Sequence, residues 1–216
     1  MNAAFELAWT TPRAWAEAAL GEPLALLSDH AYCELGAAAA AQGLLARRPE
    51  DSRLVERLAA HASEELRHFR AVHRLLVELG GALEPVRTNP YAEGLLAHVQ
   101  RGAGGLVDRL LVFGLIERRS LERFELLAEV AAERASELAA LYAELAPSEA
   151  GHAALFLELA RERAPAAELE VRLGRWLERE AELAAGLPFA PRIHSGPPRS
   201  PAVRTAAAAA RAGGTA

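Results

Sequence analysis

The segment Ser63-Glu-Glu-Leu-Arg-His-Phe69 places Glu65 and His68 three residues apart, within a run whose apolar residues recur at helical spacing. Residues three apart on a helix lie on the same face, one turn apart, so both side chains can reach one metal ion. A second segment, Ser148-Glu-Ala-Gly-His152, repeats this Glu-x-x-His pattern. Each motif taken singly also fits a solvent-exposed helix face, so its spacing from other residues must distinguish the two interpretations.

Each motif follows another glutamate at nearly the same distance. Glu34 lies 31 residues before Glu65, and Glu117 lies 32 residues before Glu149. If the chain turns near Pro49 and again near Glu133, the two members of each pair lie at the same height of an antiparallel helical hairpin. Four carboxylates and two imidazoles at one level of a bundle match the di-iron pattern, with a Glu from each of two helices and a Glu-x-x-His from each of the others.

The composition agrees with a helical fold. Ala, Leu, Glu and Arg dominate the 216 residues, and all four favour helices, whereas β-branched residues are scarce. The first long helix is predicted over residues 22–48, ending at Pro49. The second begins near Asp51, a candidate N-cap, and ends at Gly80-Gly81, a candidate left-handed cap.

The remaining elements follow from glycines, prolines and apolar spacing. A crossover over residues 81–105 is predicted to contain a short helix near 91–100, and a third long helix starts near Leu106. The next break is expected between Ala132 and Ser136, where Ser136 can cap a fourth helix that runs to about 164. A fifth helix follows Pro165 and ends near 185.

The predicted fold class is therefore all-α: a ferritin-like four-helix bundle with a crossover connection, an additional C-terminal helix and a flexible tail. Residues 1–196 are expected to form one ferritin-like di-iron domain. Residues 197–216 are expected to be a disordered tail, because their last fifteen or so residues lack large apolar groups.

Charge and cysteine content exclude several classes. A net charge of −5 argues against a protein that binds polyanions in bulk, although a local basic patch could still contact a structured RNA. The single cysteine, Cys33, excludes an intramolecular disulfide. No apolar run reaches the roughly 18–20 residues that span a bilayer, so no membrane partner is expected, and the predicted location is cytoplasmic.

Other chemically notable residues have ordinary interpretations. His30 and His61 lie one turn before Glu34 and Glu65, and we expect partly buried histidines there, with orientation of a ligand as the alternative. Cys33 is expected to be a packing residue. Two arginine groups are expected to be solvated or paired with glutamates, with RNA contact as the alternative: Arg47-Arg48, and Arg118-Arg119 with Arg123.

In local context these segments resemble the bacterial tRNA-(2-methylthio-N6-isopentenyladenosine) hydroxylases, the MiaE proteins, over roughly residues 20–196. The carrying segments are Asp29-His-Ala-Tyr-Cys-Glu34, Ser63–Phe69, Leu115-Ile-Glu-Arg-Arg-Ser-Leu-Glu-Arg-Phe124, Ser148–His152 and Ile193-His-Ser-Gly196. The resemblance implies two iron ions, O2 and an unidentified electron donor that together hydroxylate the isopentenyl group of a modified adenosine in the tRNA anticodon loop. The implied iron ligands are Glu34, Glu65, His68, Glu117, Glu149 and His152.

Two residues depart from the family pattern. Gly151 stands where the family usually has a larger residue, and Pro147 would kink the helix or mark a local irregularity.

Two further functions share parts of the pattern. An iron-storage or peroxide-detoxifying ferritin-like protein would use the same ligands, and a metal-free helical interaction module would leave the glutamates solvated.

Overall fold

The computed structural model describes residues 5–85, 88–100, 102 and 104–198. The described part is helical without strands, which confirms the predicted all-α class. The elements are α1 (Arg13–Ala19), α2 (Pro23–Leu45), α3 (Ser52–Glu78), α4 (Pro90–Leu96), α5 (Gly105–Ala131), α6 (Ser136–Arg161) and α7 (Ala166–Gly186).

Two helical hairpins form the bundle. Helix α2 packs along α3, and α5 packs along α6, while α3 and α6 also contact each other. The crossover from α3 to α5 contains α4, and α7 lies against α4, α5 and α6. This arrangement confirms the predicted crossover and the additional C-terminal helix. Within the described residues, no helix is long and apolar enough to cross a membrane.

The ends of α3 follow the predicted capping signals. The Asp51 side chain accepts a hydrogen bond from the Leu54 amide at 3.0 Å, which satisfies one of the free N–H groups of the first turn. At the other end, Gly80 adopts a φ of 80°, and the Gly81 amide donates to the Leu76 carbonyl at 2.8 Å. Glycine is needed there because side chains disfavour the left-handed conformation.

The break between α5 and α6 lies where it was expected, over residues 132–135, but its capping differs. Ala135 occupies the cap position, and Ser136 is the first helical residue, so the prediction of a Ser136 cap was wrong. The Arg134 and Ala135 amides both donate to the Ala131 carbonyl, and this tight turn closes α5 without a side-chain cap. Helix α1 was not predicted, because seven residues carry too little periodicity.

Pro147 and Gly151 both lie inside α6, which is helical from Ser136 to Arg161. Pro147 removes one N–H from the helix, and the residue that loses its hydrogen bond, Ala143, is exposed to solvent, as is Pro147 itself. Gly151 is also exposed, and a Cβ added to it would meet no atom within 4 Å. Neither departure therefore disturbs the buried face of α6.

The interior consists of two apolar clusters. One contains Leu54, Leu58, Leu110, Leu111 and Phe156, and the other contains Leu26, Leu76, Phe124, Leu127 and Tyr142. The clusters correspond to opposite ends of the four long helices, and the predicted ligands fall between them in sequence on every helix. The fold thus holds a charged layer at mid-height, enclosed by apolar packing above and below.

The arginines of α5 are structural. Arg119 and Arg123 are fully buried, so the expectation of a solvated or RNA-contacting surface was wrong for both, whereas the expected pairing with glutamates is found for Arg119. Arg119 donates two hydrogen bonds of 2.8 Å to the two carboxylate oxygens of Glu180 on α7. Arg123 donates to the carbonyls of Ile193 and Ser195. The hydrogen-bond donors of these two guanidinium groups are therefore satisfied by α7 and by the C-terminal segment, and not by solvent.

The division into one domain over residues 1–196 and a tail over residues 197–216 stays a prediction. Residues 187–198 follow α7, and Ile193, His194 and Ser195 are buried against the bundle. Of the predicted tail, residues 199–216 lie outside the described part of the chain.

Candidate metal centre

The four long helices bring all six predicted ligands together. Helix α2 carries Glu34, and α5 carries Glu117, while the Glu-x-x-His pairs lie on α3 and α6. No more than 5% of the surface of any of the six residues is exposed. Burial of four carboxylates would be costly without cations or hydrogen-bond donors among them.

The potential donor atoms form two groups with one shared member. The first comprises Glu34, Glu65, His68 and Glu149, and the second comprises His61, Glu65, Glu117 and His152. Within each group, one atom from every residue lies within 4.8 Å of the others. Oxygen and nitrogen atoms bound at about 2 Å from one ion lie within about 4 Å of one another, so each group is slightly wider than a single coordination shell and would contract around an ion.

Individual distances support this convergence. His68 Nδ1 lies 3.8 Å from Glu34 Oε2, 3.6 Å from Glu65 Oε2 and 3.7 Å from Glu149 Oε1. On the other side, His152 Nδ1 lies 2.8 Å from Glu65 Oε1. The Glu65 carboxylate therefore stands between the two imidazoles, as a carboxylate that bridges two ions would.

Most of these atoms lack hydrogen bonds. Among the described residues, nine buried side-chain nitrogen or oxygen atoms have no hydrogen-bond partner, and seven belong to this layer. The seven are Nδ1 of His30, His61, His68 and His152, both carboxylate oxygens of Glu65, and Oε1 of Glu149. Buried polar atoms are normally paired. Unpaired donor atoms that face one another fit a site for cations, and their mixture of imidazole and carboxylate suits iron.

Burial and the repulsion between neighbouring carboxylates shift the pKa values of the glutamates in this layer. Burial and the nearby charge of Glu65 raise the pKa of Glu117 to about 8. Burial and the charge of Glu117 raise the pKa of Glu149 well above its usual range. Burial acts in the same sense on Glu34, but His30 and hydrogen bonds outweigh it, so the pKa of Glu34 is lowered. The site thus favours either protons or cations among its carboxylates.

The histidines respond to the same charges. Burial opposes the charged form of His68, but the nearby carboxylates of Glu34 and Glu65 outweigh it and raise its pKa to about 10. For His152, the adjacent Glu65 carboxylate likewise outweighs burial, and the pKa rises to about 9. His61 differs, because burial dominates there and lowers its pKa to about 4. Metal binding requires neutral imidazoles, so His61 needs no deprotonation to become a ligand.

Three residues beside the six were undervalued or missed from the sequence. His30 is fully buried, with Nε2 at 2.5 Å from Glu34 Oε1, and His61 belongs to the second donor group. Both were expected to be ordinary, partly buried histidines. Glu64 was not singled out, yet its Oε2 lies 3.2 Å from His152 Nε2, the nitrogen that faces away from the site. The signals available were the one-turn spacing of the histidines and the adjacency of Glu64 to Glu65.

The other chemically notable residues have structural partners. Asp29 accepts a hydrogen bond from the Ile193 amide, and Asp108 pairs with Arg172 and accepts from the Trp176 indole. Cys33 is half-buried, and its Sγ lies 3.8 Å from His194 Nδ1. The Cys33 side chain therefore does more than fill space, since it contacts a buried histidine of the C-terminal segment.

An apolar cavity of about 180 Å³ leads from the surface to this layer. Its partly exposed rim is formed by α2 and α4, where Tyr32, Ala37 and Leu96 lie. Its buried floor consists of His61, Phe113, Glu117, Phe156 and His194. Glu117 and His61 both belong to the second donor group, whereas no member of the first group lines the cavity. The cavity therefore gives a small apolar group access to one side of the site.

Comparison with known proteins identifies the family. In a solved structure, a protein from Synechococcus described as having aldehyde deformylating oxygenase activity superposes with a TM-score of 0.84 at 36% identity, covering 90% of this chain and 98% of that one. A curated tRNA 2-(methylsulfanyl)-N(6)-isopentenyladenosine(37) hydroxylase from Pseudomonas putida is 41% identical over 143 residues, which are 66% of this chain and 68% of the relative. The tRNA-(ms2io6A)-hydroxylase (MiaE) family profile matches residues 2–195. The chain belongs to the MiaE family of ferritin-like proteins.

Proposed function

We propose that this chain is an O2-dependent non-haem di-iron monooxygenase that hydroxylates the isopentenyl group of 2-methylthio-N6-isopentenyladenosine in tRNA. Membership of the MiaE family supports the substrate, and the buried layer of carboxylates and imidazoles supports the cofactor. The proposed ligands of two iron ions are Glu34, Glu65, His68, Glu117, Glu149 and His152. Since tRNA is the proposed substrate, the proposed location is the cytoplasm.

The observation that carries this proposal is the apolar cavity that ends at Glu117. An isopentenyl group is a short hydrocarbon, and the walls of the cavity are formed largely by alanine, leucine, isoleucine and phenylalanine side chains. Burial of such a group is favourable in proportion to its apolar area. A storage ferritin takes up hydrated ions, so an apolar access route gives it no advantage.

The residues of the site would hold the two iron ions, orient the ligand side chains and exclude water from the cavity. When bound, the two iron ions supply the redox chemistry: O2 and two electrons from an external donor, with two protons, convert one allylic C–H into C–OH and release one water molecule. His30 and Glu64 orient Glu34 and His152 through the contacts described above. Phe113 and Phe156 keep the cavity floor apolar, which limits water beside the reacting carbon.

Mass spectrometry of tRNA nucleosides tests the proposal. A strain lacking the gene should lose the hydroxylated nucleoside and accumulate its isopentenyl precursor. The wild-type gene and a Glu56→Ala variant should restore the product, since Glu56 is exposed on α3, whereas Glu65→Ala on the same helix should not. An unchanged nucleoside profile in the deletion strain would refute the proposed substrate.

The cavity has its own test. Ala37→Phe would place a ring in the cavity, and we expect it to lower hydroxylation at least tenfold while the chain keeps its iron. Ala39→Phe is the matched control, because Ala39 lies two residues away on α2 and is exposed. Equal activities of the two variants would show that the substrate reaches the site by another route.

A second candidate function is aldehyde deformylation. The structural similarity to the Synechococcus protein, at 36% identity, supports it, and an apolar cavity also suits an aliphatic aldehyde. Incubation of the iron-loaded chain with an aliphatic aldehyde, O2 and a reductant distinguishes the candidates. Release of formate without tRNA hydroxylation would favour deformylation over our proposal.

A further inference from the structure

We propose that His61 is a seventh protein ligand of the metal centre, so that the ion nearer the cavity is held by two imidazoles. This inference rests on the proposed di-iron function and adds a residue to the ligand set implied by the family resemblance. It makes the centre asymmetric. One ion would bind Glu34, Glu149 and His68, the other would bind His61, Glu117 and His152, and Glu65 would bridge them.

The geometry of His61 carries the proposal. Its Nδ1 lies 3.3 Å from Glu65 Oε1, and its Nε2 lies 3.5 Å from Glu117 Oε1. Both carboxylates belong to the proposed ligand set, and the ring lies between them. The side chain is 1% exposed, and Nδ1 has no hydrogen-bond partner. A buried imidazole with one unpartnered nitrogen, each of whose nitrogens faces a different ligand carboxylate, lies where a ligand would lie.

Aromatic packing fixes this ring. The His61 ring meets the His152 ring edge to face, with centroids 4.4 Å apart, and meets the Phe156 ring edge to face at 5.0 Å. His30 provides the contrast, since its carboxylate partner is Glu34, its ring is tilted against Phe124 and stacked on Tyr142, and it belongs to neither donor group. The two histidines hold equivalent sequence positions, four residues before a ligand glutamate, but only His61 reaches a second carboxylate.

The position of His61 has a functional consequence. His61 and Glu117 form part of the cavity floor, so the ion with two imidazoles would be the one that an apolar substrate approaches. Replacement of a carboxylate by a neutral imidazole leaves that ion with more net positive charge. The two ions should therefore differ in affinity and in spectroscopic environment.

Metal binding by purified protein tests the inference without reference to activity. Chelator-treated chain is titrated with Co²⁺, and X-ray absorption at the iron edge counts imidazoles in the iron-loaded chain. We expect three imidazoles per two irons in wild type and in the control His73→Asn, whose residue lies on the same helix but in neither donor group, and two imidazoles in His61→Asn. We also expect His61→Asn to weaken one of the two Co²⁺ equivalents by about tenfold or more while the other is unchanged.

Two imidazoles in the wild-type chain would overturn the proposal, and so would identical Co²⁺ titrations of wild type and His61→Asn. A second variant, His61→Gln, has a side chain of different length and separates a folding defect from ligand loss. If His61→Asn and His61→Gln fold, each should still bind one equivalent of Co²⁺ normally. A wild-type chain that hydroxylates tRNA with two imidazoles would refute only this inference. A wild-type chain that binds no second ion would refute the proposed di-iron function itself.

Discussion

At the residue scale, the buried layer makes the stability of the chelator-treated chain depend on pH. The pKa values of His68 and His152 are raised to about 10 and about 9, so these groups stabilise the fold fully below their ordinary pKa near 6.5. That contribution is lost as the pH rises through the raised values. Glu117, with a pKa raised to about 8, acts in the same direction, because its ionisation is unfavourable in the folded chain.

We therefore expect the free energy of unfolding to fall between pH 6.5 and pH 10 when metal is removed. Denaturant titrations at several pH values measure it. Addition of two equivalents of ferrous iron under anaerobic conditions should reduce this dependence, because the cations replace the protons as partners of the carboxylates. A stability that rises over this pH range without metal would contradict the charge distribution described here.

Gly151 allows a second prediction at this scale. It is exposed in the interior of α6, with open space where a Cβ would stand. Gly151→Ala should raise the free energy of unfolding by about 0.5–1 kcal/mol, because alanine loses less backbone entropy in a helix. Denaturant unfolding measures this change, and metal content should stay the same. A destabilised variant would mean that the glycine has a specific backbone role beside Glu149 and His152.

At the scale of elements, the buried carboxylate of Glu180 is one of the groups that attach α7 to the bundle. Glu180 accepts hydrogen bonds from Arg119 and from the Tyr91 hydroxyl, at 2.8 and 2.9 Å, and is fully buried. Glu180→Ala would leave the Arg119 guanidinium buried with only Glu122 as a charged partner. We expect a loss of about 3–5 kcal/mol of stability, the usual cost of an unpaired buried charge.

The matched control for this prediction is Glu178→Ala, since Glu178 lies two residues earlier on α7 and is exposed. Thermal unfolding of both variants gives the comparison. Equal stability of the two would show that Arg119 keeps its charge compensated by Glu122 and the Trp9 carbonyl alone.

At the scale of the whole molecule, the C-terminal segment after α7 completes the domain. The Trp15 indole donates to Ser195 Oγ at 3.0 Å, and Arg123 donates to two carbonyls of the segment. His194 from this segment forms part of the cavity floor. A chain that ends at residue 187 should therefore unfold at a lower temperature and lose activity, because Arg123 and Trp15 lose their acceptors.

A chain that ends at residue 198 tests the predicted domain boundary. It retains every contact of the segment named above, so we expect the unfolding temperature, iron content and tRNA hydroxylation of the full chain. A lower unfolding temperature or weaker activity would show that residues beyond 198 contribute to the fold or to tRNA binding.

Much of the bundle and all six proposed ligands could be predicted from the sequence, because the relevant signals are local. Asp51 begins α3 and Gly80-Gly81 ends it through hydrogen bonds to residues three to five positions away. Glu65 and His68 share a face through helical periodicity alone. The nearly equal spacing from Glu34 to Glu65 and from Glu117 to Glu149 then predicted which glutamates lie side by side in the two hairpins. Such signals need no knowledge of how the helices pack.

Only the tertiary structure decided what surrounds that layer. Arg119 looks like a surface residue in sequence, and its burial depends on Glu180, 61 residues away. His30 and His61 have the same local spacing, yet helix packing gives His61 two carboxylate neighbours and His30 one. The sequence by itself determined the helices and the ligand register, since these follow from short-range bonds. The tertiary structure determined burial, the cavity and the two carboxylate neighbours of His61, since these depend on contacts between helices distant in the chain.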